Sequence, residues 1–166
     1  MEHSSSIEQL KDAIMHGNIE KFKKIIKIRH LTIDVLNHTY ILHDAVEYRC
    51  IDICEYLIEF GVDINNQDVL LHTPLHEAAR WNYLDICEYL LKQGALINMK
   101  DTHGDTPLHY TANVQCIDMC KLLLMYGADP DIKNNNGDTF RDMTKSEEIK
   151  CLGSGDKTKV CRQNIR

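Results

Sequence analysis

"TPLHEAARWNYLDICEYLLKQGALIN" runs from Thr73 to Asn98, and its spacing alone reads as two helices and a stop. Thr73 is an N-cap residue, and Pro74 suits the first helical position. Leu75, Ala78 and Ala79 fall at i, i+3 and i+4, a narrow apolar stripe. Its alanines are small enough for a neighbouring helix to come close. Leu84, Ile86, Cys87, Leu90 and Leu91 make the second helix apolar over a broader arc. Gly94 stands where a helix ends in a left-handed residue. One such helix pair cannot bury its own face, so several must stack.

The chain supplies the neighbours at a fixed step of thirty-three residues. Gly61, Gly94 and Gly127 keep it, as do His43, His76 and His109, and Leu42, Leu75 and Leu108. Asp52, Asp85 and Asp118 follow, then Cys54, Cys87 and Cys120. "TPLHYTANVQCIDMCKLLLMYGADPD" (Thr106–Asp131) repeats the opening stretch, with Pro107 in place and Thr111 where Ala is preferred. "YILHDAVEYRCIDICEYLIEFGVDIN" (Tyr40–Asn65) repeats it with Tyr40 and Ile41 for Thr-Pro. "SIEQLKDAIMHGNIEKFKKIIK" (Ser6–Lys27) is a divergent first copy that keeps Leu10, Ala13, Gly17 and Ile19. "GDTFRDMTKSEEIKCL" (Gly137–Leu152) is a truncated last one.

This period and the T-P-L-H-x-A signature resemble the ankyrin-repeat family. The resemblance implies an all-α solenoid of stacked helix pairs joined by β-turn fingers. Three full repeats would lie between a divergent N-terminal repeat and a truncated C-terminal one. The expected domain spans 1–152, with repeats at about 6–36, 37–69, 70–102 and 103–135 and a partial one at 136–152. Residues 153–166, "GSGDKTKVCRQNIR", have glycines, mixed charge and no period, and read as a disordered basic tail. Between paired helices the family wants Gly, yet Arg49, Asn82 and Gln115 stand there. Each misfit costs about 1 kcal/mol.

Composition bounds the function. The 166 residues, 43% apolar and 27% charged, are those of a soluble globular protein. No apolar run nears the ~20 residues of a membrane span. The polar start, "MEHSSSIEQLKDA", lacks a secretory core. Cytoplasmic location is expected, with the nucleus open as well. The seven cysteines, six of them inside the repeat region, read as reduced thiols. Residues 31–152 carry nine basic and twenty acidic side chains. Such a body repels phosphate, which argues against nucleic acid, and steers a basic protein partner toward itself.

Chemistry-bearing residues resolve mostly into architecture. No C-x-x-C pair or zinc-finger spacing occurs, and no metal or cofactor is expected. His43, His76 and His109 recur in one column, as hydrogen-bonding residues that tie repeats together do. No nucleophile elbow, P-loop or dinucleotide fingerprint is present, so neither catalytic residues nor an enzyme are expected. Asn65 and Asn98 close two repeats. The resemblance makes them acceptors for hydroxylation; the plainer reading is a turn asparagine bonding its own backbone.

What remains is surface. Glu47, Arg80 and Asn113 form one inner-helix column; Tyr48, Trp81 and Val114 form the next, which the family usually keeps polar. "NQDVLLHTPLH" (Asn66–His76) carries Val69, Leu70 and Leu71 where the sister "MKDTHGDTPLH" has Thr102, His103 and Gly104. These apolar residues, rimmed by Asp44, Glu47, Asp68, Glu77 and Arg80, are the candidate partner surface. The rival reading tucks the tip against its neighbour. The expected function is non-enzymatic binding of a protein partner by a chain that is monomeric alone, as blocker or adaptor. The resemblance extends to short I-kappa-B-like proteins of viruses and to host-directed bacterial effectors. It implies a host–virus role and a Rel-type transcription factor as target. An assembly chaperone or scaffold subunit stays open.

Overall fold

In this computed structural model residues 2–152 are described, so the expected tail, 153–166, lies outside them. Ten helices and no strand occur among the described residues. The first pair is α1 (Glu2–Met15) and α2 (Ile19–Arg29), followed by a short α3 (Ile33–His38). Next come α4 (Ile41–Glu47) with α5 (Ile51–Phe60), α6 (Pro74–Arg80) with α7 (Leu84–Lys92), and α8 (Pro107–Asn113) with α9 (Ile117–Met125). A last helix, α10 (Glu147–Cys151), lies against α9. Helices α1, α4, α6 and α8 stack as an inner row, and α2, α5, α7 and α9 as an outer one. The fold is an all-α repeat solenoid.

Its core is the set of columns spaced by thirty-three. Leu42, Leu75 and Leu108 are each 1% exposed, and Cys54, Cys87 and Cys120 are fully buried, as are Leu57, Leu90 and Leu123. Burial pushes all three thiols up, Cys87 to about 12, so these sulfurs act as small hydrophobes. Thr111, the departure from Ala, is fully buried. Its hydroxyl donates to the Leu108 carbonyl at 2.8 Å and lies 2.9 Å from Cys120 Sγ.

The helix starts confirm the motif. The Thr73 N–H donates to His76 Nδ1 at 3.0 Å, and its hydroxyl lies 2.8 Å from the same atom. Thr106 and His109 repeat this at 3.1 and 2.9 Å. The other ring nitrogen, Nε2, spans to the next repeat: His76 to Asp105 O and His109 to Asp138 O, both at 3.2 Å. His43 spans likewise to His72 O at 2.9 Å. But Tyr40 stands where the capping Thr belongs, and His43 Nδ1 has no partner.

Arg49, Asn82 and Gln115 adopt left-handed backbone, with φ of 55, 58 and 57°. Arg49 is also engaged from its far end: it pairs with Asp85 at 3.1 Å and lies over the Tyr83 ring at 5.3 Å.

Two details differ from the sequence reading. Helix α3 fills the place of the first finger. A finger is nucleated by an acid or amide at Asp68, Asp101 or Asn134, and the equivalent residue one step earlier is Val35. Lacking that side-chain acceptor, the segment is capped by Thr32 instead and buries Leu36. The two asparagines bond across repeats and not within their own turns. Asn65 Oδ1 accepts the Leu96 N–H at 2.8 Å, and Asn98 Oδ1 that of Asp129 at 3.0 Å.

Candidate functional site

The finger between α5 and α6 is built around one carboxylate. Asp68 Oδ1 accepts the N–H groups of Leu70 and His72, each at 2.8 Å. This forms an Asx-type turn that uses backbone but no side chain of the three residues between Asp68 and His72. Val69 is 79% exposed, and Leu70 and Leu71 are about half-exposed at 47% and 42%. The backbone of the tip is bonded to the next finger, the Thr102 N–H donating to Leu70 O at 3.0 Å. Leu71 has φ 61°, a left-handed conformation that a branched L residue adopts only at a cost.

Behind the tip lies a buried polar group that fixes its base. His72 is 6% exposed. Its Nδ1 lies 3.3 Å from Asp68 Oδ2 and 3.7 Å from Glu77 Oε1, and its Nε2 lies 2.9 Å from the Tyr110 hydroxyl. Tyr110 donates to Asp101 Oδ2 at 2.8 Å, and burial together with that carboxylate pushes the phenol up. Asp101 sits below the ordinary carboxylate range even though burial acts the other way; the Tyr110 hydroxyl and the N–H groups of Asp105 and His103 hold it down. The finger is thus tied to the next repeat through a chain of hydrogen bonds.

Of the nine residues expected at the surface, five line one cleft: Glu47, Val69, Glu77, Arg80 and Trp81. The cleft measures about 300 Å³ and lies between α4, α6, the finger and Lys11 of α1. Trp81 is 44% exposed, and its indole N–H donates to Glu77 Oε2 at 3.0 Å. The guanidinium of Arg80 lies 5.5 Å from the indole. Leu70 and Leu71 stand outside the cleft. Tyr48 and Val114, 47% and 42% exposed, occupy the same helix-end position as Trp81 in the flanking repeats. Tyr48 borders a separate recess with Met15 and Arg49.

Sequence reasoning missed the contributions of Lys11, Tyr40 and His43 to this cleft. Tyr40 was a visible signal, as the one residue that replaces the capping Thr. Lys11 had none, because it comes from the divergent repeat. Among the described residues no group of three or more His, Cys, Asp or Glu is placed to hold a metal ion. Nor is any helix there long and apolar enough to cross a membrane.

Residues 10–101 and 72–134 match a family model described as ankyrin repeats (3 copies). No curated protein matches the chain.

Proposed function

The chain belongs to the ankyrin-repeat family, whose repeats generally bind protein partners, and on that premise we propose that it is a non-enzymatic module whose concave face and fingertips occupy a partner's surface. One observation carries this reading: the finger exposes Val69, Leu70 and Leu71 on a turn held by the Asp68 carboxylate and backbone bonds, with Leu71 in strained backbone. A fold that needs no apolar group there, and incurs strain to keep one, points to a use outside the fold. Trp81, on the adjoining cleft, adds a large aromatic surface of low entropy cost.

The partner is proposed to be basic. The acidic balance of residues 31–152 supports this by steering a cationic surface onto the module. Such a partner fits the I-kappa-B-like reading, in which the chain blocks a Rel-type transcription factor. The test is displacement of a Rel-type dimer from its DNA by the purified chain; continued DNA binding at saturating protein would remove that reading. The alternative is a scaffold or assembly role. Light scattering separates the two, since a blocker stays monomeric as concentration rises and a scaffold subunit does not.

The interaction surface is tested by giving Leu70 and Leu71 the sister residues His and Gly. Partner affinity should fall by about 2 kcal/mol or more, with a melting temperature that does not fall. Trp81→Ala should weaken the same partner, and the two changes should be non-additive if they touch one element of it. An intact fold with unaltered affinity would place the interface elsewhere.

A further inference from the structure

The cleft beside the finger is unbalanced in charge. Four carboxylates line it, Asp44, Glu47, Asp68 and Glu77, against two cations, Lys11 and Arg80. Lys11 Nζ lies 2.9 Å from Asp44 Oδ2 as an ion pair without hydrogen-bond geometry, and Arg80 lies 3.8 Å from Glu77. Glu47 faces no lysine or arginine among the described residues, and Asp68 meets only the His72 imidazole, 3.3 Å away, which leaves the carboxylates of the cleft in excess over its lysine and arginine.

A second observation is independent of the carboxylates. His43 lines the same cleft and is only 7% exposed. Its Nε2 donates to the His72 carbonyl, so its Nδ1 carries a lone pair and can only accept. In His76 and His109 that lone pair receives a threonine N–H; at His43 none of the described residues supplies a donor. A buried acceptor without a donor is costly, and one surrounded by carboxylates favours a donor that is also a cation. Tyr40 stands edge-on to His43, ring centres 5.8 Å apart, and borders the cleft as well.

Resting on the interaction reading above, we infer that this cleft receives one arginine side chain of the partner protein. The guanidinium sits among Glu47, Asp68 and Glu77, with its face toward the Trp81 indole, and directs one N–H to His43 Nδ1 as the Tyr40 ring turns aside. Arginine fits better than lysine for two reasons. The acceptors lie on several walls, which suits a planar fork of five donors and not a point charge. Stacking of guanidinium on this indole already occurs in the chain, through Arg80. The size agrees, since about 300 Å³ is the lower end for a ligand pocket and suits one side chain.

The test uses the full chain, labelled with nitrogen-15, titrated with N-methylguanidinium chloride at constant ionic strength. N-methylurea, similar in shape and neutral, and methylammonium run in parallel. Saturable shifts of the Trp81 indole and the His43 imidazole are expected with the guanidinium. N-methylurea should bind at least tenfold more weakly, and methylammonium at least threefold. Glu47→Gln should weaken the guanidinium at least threefold, whereas Glu59→Gln, an equal loss of charge on α5 outside the cleft, should not. Absent or unsaturable shifts, an equal response to N-methylurea, tighter binding of methylammonium, or equal effects of the two substitutions would each overturn the inference. Because the probe needs no partner, a negative result leaves the finger surface to be judged by its own swap.

Discussion

The finger at Asp68–His72 and its sister at Asp101–Asp105 share every backbone bond that shapes them. Asp68 N–H donates to His72 O at 2.9 Å, and Asp101 N–H to Asp105 O at 2.9 Å. Leu71 N–H meets Asp68 O at 3.0 Å where Gly104 N–H meets Asp101 O at 3.0 Å. Asp101 Oδ1 takes the N–H groups of His103 and Asp105 just as Asp68 takes those of Leu70 and His72. Leu71 and Gly104 even share a left-handed φ, 61 and 77°. What differs is the space beyond. A Cβ on Gly104 would lie 2.8 Å from the backbone nitrogen of Asn135 in the following finger. Both fingers bond the next one alike, Leu70 O accepting from Thr102 N–H at 3.0 Å and His103 O from Asn135 N–H at 2.9 Å, so the facing residue differs only as Thr102 in one case and Asn135 in the other. The turn is therefore dictated by one acid and its backbone bonds, while the neighbouring finger decides whether a side chain is allowed on it.

Exchange in the forbidden direction should have the largest effect. Gly104→Leu adds the cost of a left-handed L residue to a collision with backbone, about 2–5 kcal/mol together. Urea denaturation measures it. A loss below 1 kcal/mol would mean that the fingers separate easily, and that the contrast between them carries no information about use.

Acid should separate the fingers next. Each finger base hangs from a histidine of the preceding repeat, the first from His43 and the second from His76. Burial pulls His76 down to about 4 from an ordinary 6.5. Its folded form stays neutral where the unfolded chain takes up a proton, so its contribution is complete above pH 6.5 and is lost as pH falls toward 4. That interval is worth about 3 kcal/mol. Protonation would also turn Nδ1 into a donor facing the Thr73 N–H. Burial lowers His43 too, but Asp68, Glu77 and Asp44 pull it back, and no donor among the described residues faces its Nδ1. Hydrogen exchange at pH 4.5 against 7.5 should open Asp101–Asp105 more than Asp68–His72, and His76→Gln should flatten the stability change between those values. Equal opening of both fingers would count against the histidine as the cause.

The repeat register was legible because each core column repeats one residue type, and burial then acts identically on every copy. The greased tip was legible for the same reason, since alignment set Leu71 over Gly104. Helix α3 was not, because the register implies a finger wherever the chain passes from one pair to the next. Only the absence of an acceptor at Val35 removes it. The cleft was not legible either. Lys11 comes from the copy that departs furthest from the pattern, and the vacancy at His43 Nδ1 follows from Tyr40 through space. The asparagines at 65 and 98 were read within their own turns because a sequence shows nearest neighbours, whereas Oδ1 reaches 31 residues on.

The smallest effect is the most telling about why the tip is apolar. Leu71→Gly removes a left-handed strain of roughly 1–2 kcal/mol, and gives back roughly 0.5–1 kcal/mol through the greater backbone freedom of glycine when unfolded. Leu71 is 42% exposed, so only the covered part of its surface is forfeited. The net gain should be about 0.5–1 kcal/mol, seen as a rise of about 1–4 °C in Tm for a chain of this size. A gain would establish that the wild-type residue is kept at the expense of stability, as expected of a side chain selected for contact with another molecule. A fall in Tm would show that the covered part of Leu71 packs productively against Gln67 or Thr102. The apolar tip would then belong to the solenoid itself, and the partner surface would have to be sought on the cleft and the Trp81 column alone.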